Sequence, residues 1–298
     1  MDHCLRLAAA FAAVYVIWGS TYLAIRIAIE TMPPFAMAGI RFVIAGALLY
    51  GWQRWRGAPA PLRIHWRSAT IIGALLLLGG NGGVTWAEQE IPSGLAALII
   101  ATVPIWIVVF GALRPGTPRP SRRTLAGVLL GMAGIALLIG PSDLAADQQI
   151  RTISYVALLL SPMLWALGSL YSRGARLPNA QLQGIGMEML AGGALLLLAA
   201  TVTGEWATFD VAAVSLRSAV ALVYLIFIGA IIGFSAYIWL LTNTTPTKAT
   251  TYAYVNPVVA VFLGWAILSE PVTPAMLAAM TIILFSVALI SGVTWRRT

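Results

Sequence analysis

Arg41 and Glu188 sit inside long apolar runs, where a charge is costly. Burying one in hydrocarbon costs at least about 2.5–3.5 kcal/mol on insertion scales, so each is a functional candidate. At 1.5 Å per residue, Arg41 falls about 12 Å from one edge of the apolar layer and Glu188 about 10 Å from the other. In a core about 30 Å thick they lie on opposite sides of the midplane, up to about 10 Å apart. A direct ion pair, or an Arg held by backbone carbonyls, is the plain structural use. The chemical uses are recognition of a charged ligand and, for Glu188, proton carriage.

Pro104 and Pro257 fall in the middle of two other runs. A proline inside a helix removes one backbone bond and frees the carbonyl four residues earlier, here Ile100 and Ala253. At membrane depth a freed carbonyl must face protein or water, so such kinks can line cavities. Trp18, Tyr22, Trp86, Trp106, Trp165, Tyr252 and Tyr254 share the apolar runs with Asn81, Thr102 and Asn256. Tryptophans near the ends of runs (Trp52, Trp55, Trp66, Trp206, Trp295) read as an interfacial belt. The deeper rings could stack on an organic ligand and offer a hydrogen bond. Asn81 stands in Gly79-Gly80-Asn81-Gly82-Gly83, where glycines permit close approach and a buried amide needs a partner. Gly127 and Gly131 have the spacing of a close helix contact, within the chain or between copies.

The elements that must position these groups follow from composition. Of 298 residues, 60% are hydrophobic and 9% charged, and the mean hydropathy is +0.88. An average soluble domain is about 45–50% apolar and about 25% charged, so this is a polytopic membrane chain. Apolar runs fall near 5–25, 33–53, 68–87, 92–111, 125–140, 153–171, 182–203, 217–239, 249–267 and 273–294. That gives an all-α membrane protein of ten transmembrane helices, with consecutive helices antiparallel. Residues 7–17 behind Arg6 could pass for a signal-peptide core, but Trp18, Tyr22 and Arg26 follow within the same run.

Charge sets the orientation. Fourteen Lys and Arg residues fall on one side of this layout with Asp2 as the one acid, and three face eight acids on the other. The positive-inside rule puts both termini in the cytoplasm. The net charge of +8 is scattered through short loops, unlike the clustered basic face that nucleic acid requires. The lone Cys4 excludes an internal disulfide, and His3 and His65 are the only histidines, so no metal or cofactor is expected.

The chain repeats itself. A shift of 147 lays Trp18 on Trp165, Arg26 on Arg173, Gly39 on Gly186, Arg41 on Glu188 and Gly46 on Gly193. A shift of 153 lays Ala96 on Ala249, Pro104 on Pro257, Val108 on Val261, Gly111 on Gly264 and Pro118 on Pro271. The units are 1–140 and 153–294, five runs each. Five is odd, so the second copy enters the membrane inverted. Inverted repeats are a signature of secondary transporters, with the ligand bound between the halves.

The stretches WGSTYLAIR, PPFAMAGIRF, IPSGLAALIIATVPIW and TTYAYVNPVVAVFLGW, and Glu270 before PVTP, resemble the EamA family of the drug/metabolite transporter superfamily, across both halves. The resemblance implies two inverted five-helix repeats, cytoplasmic termini and a bacterial inner-membrane exporter of small metabolites. It implies a central cavity lined by the first, third, fourth, sixth, eighth and ninth helices, which supports Trp18, Trp86, Trp165, Tyr254 and Asn256 and leaves Arg41 and Glu188 peripheral. The small four-helix relatives couple protons through a first-helix glutamate, which is absent here.

The reading is therefore a non-enzymatic exporter of amino-acid-like or aromatic compounds working by alternating access, with the bilayer, a small molecule and protons as partners, as a monomer or weak homodimer. A passive channel is the alternative. A membrane-embedded enzyme would need clustered carboxylates, a His pair or a nucleophile with its base, and Glu88 and Glu90 read only as a loop pair without partners.

Overall fold

The computed structural model describes residues 3–113, 121–139, 149–243 and 252–291. Outside the described residues lie Asp2, Arg114, Pro118, Arg119, Asp143, Asp147, Lys248, Ala249, Trp295, Arg296 and Arg297, and the side chains of His3, Cys4, Arg151 and Tyr254. Among the described residues there is no strand.

The apolar runs fall on helices. They are α1 (His3–Ala28), α2 (Pro34–Trp55), α3 (Arg63–Ala87), α4 (Ser93–Ala112), α5 (Arg122–Ile139), α6 (Gln149–Ser172), α7 (Gln181–Val202), α8 (Leu216–Asn243), α9 (Tyr252–Leu268) and α10 (Pro274–Ser291), with one helical turn at Glu205–Thr208. Seven of them (α1–α4 and α6–α8) contain stretches long and apolar enough to cross a membrane. Leu129, Leu198, Val220 and Phe262 are more than half exposed around the outside, where a bilayer and not water is the compatible solvent.

Glycines bring the helices together. A Cβ on Gly46 would meet the backbone nitrogen of Leu190 at 2.7 Å and the Gly186 carbonyl oxygen at 2.8 Å. One on Gly193 would meet the backbone nitrogen of Val43 at 2.8 Å and the Gly39 carbonyl oxygen at 3.1 Å. The glycines matched by the 147-residue shift thus face each other across α2 and α7, which run antiparallel. In the same way Gly131 and Gly134 of α5 pack on Ser286 and Ile283 of α10, so this end of the glycine motif serves contacts within the chain.

Two helices widen in the middle. Gly73–Gly82 in α3 and Leu225–Ile232 in α8 are π-helical, a form frequent at functional sites. Gly80 and Gly233, 153 residues apart, each receive a tryptophan. A Cβ on Gly80 would meet the Trp165 ring at 2.8 Å, and one on Gly233 would meet Nε1 of Trp18 at 2.6 Å. The two prolines differ. The helix is interrupted at Ala101–Thr102 and restarts at Val103, with Pro104 in the new first turn, where its missing N–H costs nothing. Pro257 lies inside an unbroken α9.

Candidate functional site

Helices α1, α2, α3, α4, α6, α8 and α9 enclose a central chamber of about 80 Å³. Its walls include Trp18, Tyr22, Asn81, Trp165 and Asn256, with Pro257 beside them. Trp18 sits in an aromatic nest, its ring 5.2 Å from that of Phe234, 4.9 Å from Tyr237 and 5.1 Å from Tyr252. Asn81 reaches the chamber because the widened part of α3 carries it there, and its Oδ1 is buried with no partner.

Arg41 faces this chamber too, so the expectation of a peripheral α2 is corrected at this position. The reason is local: Gly229, in the widened part of α8, leaves room for the guanidinium, whose Nη2 lies 3.4 Å from where a Cβ would stand. Arg41 and Glu188 do not pair. Glu188 lines a second cavity of about 410 Å³ with Pro104 and Arg173, reaching toward the α6–α7 connection. The chamber and this cavity share Val103, Trp165, Phe234 and Tyr252 as walls.

Thr102, Trp86 and Trp106 line neither space. Thr102 is buried and donates to the Ile99 carbonyl at 2.6 Å, bridging the interruption in α4. Trp106 stacks on Phe110, with its Nε1 buried and unpartnered. Trp86 is half-buried near the end of α3.

A layer of polar bonds lies beyond the chamber, where α2 and α4 begin. Each of these helices is preceded by a proline, Pro33 and Pro92, whose side chain cannot cap the free N–H groups. Carboxylates from elsewhere do so. Glu205 accepts from the backbone N–H of Phe35 (3.1 Å) and Ala36 (2.8 Å). Glu270 accepts from the backbone N–H of Ser93 (2.9 Å) and Gly94 (3.2 Å) and from the Ser93 hydroxyl (3.0 Å). Both also complement the positive end of a helix dipole. Glu270 can fold back because Ser269 takes a left-handed φ of 56°, and because Gly264 has no side chain, as a Cβ there would lie 2.3 Å from the carboxylate. Burial pushes the Glu205 carboxyl up, against the two N–H groups that pull it down.

Glu88 belongs to this layer. Sequence reasoning placed it in a loop, yet it is fully buried with both carboxylate oxygens unpartnered. Arg26 donates to the backbone carbonyls of Glu88 and Gln89 but not to the carboxylate. Burial first, and then the charge of Glu270, hold the Glu88 carboxyl well above the usual carboxylate range, against the opposite pull of Arg26 and Arg41. An outer vestibule walled by Arg26, Glu30, Glu90 and Glu270 lies past this layer and shares no wall residue with the chamber. Among the described residues no group of His, Cys, Asp or Glu gathers into a metal-ligand set.

Comparison with known proteins matches this arrangement to a family. The sequence model of the "EamA-like transporter family" matches twice, at residues 6–140 and 152–292. The chain is 40% identical over 280 residues to the "Uncharacterized inner membrane transporter YedA" of Escherichia coli (strain K12), covering 94% of this chain and 88% of that protein. It is 22% identical over 301 residues to a "Probable amino-acid metabolite efflux pump" of the same strain, covering 95% of this chain and 94% of that one. A solved crystal structure with 23% identity superposes with a TM-score of 0.66 over 96% of both chains, a likeness of fold. The chain belongs to the EamA-like transporter family and is a transporter of the drug/metabolite type.

Proposed function

We propose that this transporter exports small organic metabolites or drugs, amino-acid-like or aromatic, across the bacterial inner membrane by alternating access. In this reading all ten helices cross the bilayer, residues 1–140 and 153–294 form two inverted repeats, and both termini are cytoplasmic. Trp18, Tyr22, Asn81, Thr102, Trp106, Trp86, Trp165, Tyr254 and Asn256 supply the binding surface or its supports. Pro104 and Pro257 mark where the helices flex, and Glu188 carries the proton if one is coupled.

One observation carries the reading: repeat-related residues meet each other antiparallel around a central chamber. Gly39 and Gly46 of α2 face Gly193 and Gly186 of α7, and Trp18 on Gly233 repeats Trp165 on Gly80. Halves related by such a two-fold axis have two nearly equivalent arrangements, one open to each side. Shared walls connect the chamber to the cavity at the α6–α7 connection, while the Glu270 and Glu205 bonds close the other end. With the basic loops inside, this is an inward-facing arrangement.

Counterflow tests it. Vesicles holding the purified protein are preloaded with unlabelled amino acids or aromatic cations and offered the labelled compound. A carrier takes up label several times faster when preloaded. A channel takes it up at the same rate, which would replace alternating access by passive permeation. A pH-sensitive dye in the same vesicles, with Glu188→Gln beside the wild type, reads coupling. Substrate-driven proton movement lost in the variant places Glu188 on the proton path, and flux without it makes Glu188 structural.

A further inference from the structure

We propose that the central chamber is a site for organic monocarboxylates, with the Arg41 guanidinium as the anchor for the carboxylate. This rests on reading the chamber as the transporter's ligand site. Arg41 is 3% exposed, and its Nε and Nη1 are buried with no hydrogen-bond partner. Its guanidinium lies over the Phe42 ring, 4.7 Å from the centroid, which holds the plane but satisfies no N–H. An uncompensated cation in a low-dielectric interior is expensive, and its unsatisfied donors add to that cost. Glu88 acts on Arg41 only through space, its carboxylate oxygens bonded to nothing. Among the described residues Arg41 is the one charged side chain lining the chamber.

The chemistry of the missing partner follows. A planar guanidinium fork matches a carboxylate, with two parallel N–H···O bonds. One cation balances one negative charge, so a carboxylate fits and a dianionic phosphate would be left half uncompensated. The unpartnered Oδ1 of Asn81 lines the same chamber and accepts an N–H or O–H from the ligand. Trp18, Trp165, Tyr252, Ile25 and Ile100 offer flat or apolar surface to the ligand's body. The ligand is therefore a small acid with an aromatic or apolar body, and a neighbouring amine or hydroxyl strengthens its hold.

Binding tests this without relying on transport. The purified full chain in detergent is titrated with benzoate, phenylacetate, mandelate and phenylalanine, each paired with its methyl ester, and with phenethylamine. Tryptophan fluorescence and the thermal midpoint are read. Loss of a charge-assisted pair predicts esters bound about ten- to a hundredfold more weakly than their acids, and mandelate bound more tightly than phenylacetate. Arg41→Gln removes the preference for acid over ester, and Arg41→Lys keeps part of it. Should Arg41→Gln fail to fold, the acid–ester ratios of the wild type decide alone. Esters that bind as well as acids, or no saturable signal from any acid, overturn the proposal. Counterflow separates it from the transport reading: Arg41-dependent acid binding without flux keeps this site and rejects transport of these acids. Counterflow of phenethylamine with no discrimination between acid and ester rejects this site and keeps the transporter.

Discussion

At the end of the bundle where α2 and α4 begin, carboxylates on two other connections hold two helix N-termini, Glu270 on Ser93 and Gly94, and Glu205 on Phe35 and Ala36. At the end where α7 begins, no side chain caps the helix: Gln183 donates instead to the Pro59 carbonyl at 2.9 Å, and its Oε1 is left without a partner. Residues of α2 and α7 match under the 147-residue shift, yet one end is closed by acidic caps while the other keeps a neutral bond beside a cavity of about 410 Å³. In the alternating-access reading proposed above, these few bonds at one end bias the protein toward one arrangement without altering the glycine contacts between α2 and α7.

Variants can break or sharpen this contrast. The largest effect should come from Gly46→Leu, which strikes the α2–α7 contact, because the two nearest atoms it meets, the Leu190 nitrogen and the Gly186 carbonyl oxygen, are backbone and cannot step aside. We expect a loss of about 3 kcal/mol or more, read as poor recovery of monodisperse protein and a lowered thermal midpoint. Recovery equal to wild type would mean α2 and α7 stand further apart. Next, Glu270→Ala removes three accepted bonds at the closed end. Labelling of Ala97→Cys in the chamber by a membrane-impermeant thiol reagent from the α4 N-terminal side, in a Cys4→Ser background, should rise about tenfold.

Glu88 gives a smaller, pH-dependent effect. Its pKa is raised by burial, so the neutral form is favoured in the folded protein and the stabilisation is lost as pH rises through that raised value. The thermal midpoint of the wild type should fall between about pH 5 and about pH 8 more than that of Glu88→Gln. Parallel curves would show that Glu88 is solvated or paired. Least of all, Gln183→Met should stay within about 1 kcal/mol of wild type, since it loses one bond but also removes an unpartnered oxygen.

Much of the fold was legible because prolines and charge clusters punctuate the apolar runs. Pro33-Pro34 and Pro92 start α2 and α4 within a residue or two of expectation. Matched Trp18 and Trp165, spaced like the glycines, pointed to the chamber walls. The rest lay beyond periodicity. Helices apolar on every side carry no stripe to say which face turns inward, so Arg41 was referred to the periphery by resemblance alone. Widening of α3 and α8 depends on backbone register, and GGNGG marked only one of the two places. Glu88 read as a loop acid because it falls with Glu90 between the apolar runs at 68–87 and 92–111.

Alternating access requires the closed end to open. The most direct test joins Ser93→Cys to Glu270→Cys, positions now 3.0 Å apart between hydroxyl and carboxylate, with a short bifunctional thiol reagent in a Cys4→Ser background. The account predicts that cross-linking abolishes counterflow, that ligand still binds from the α7 side, and that cleaving the linker restores flux to the level of the uncross-linked double variant. Undiminished counterflow in the cross-linked protein would contradict it.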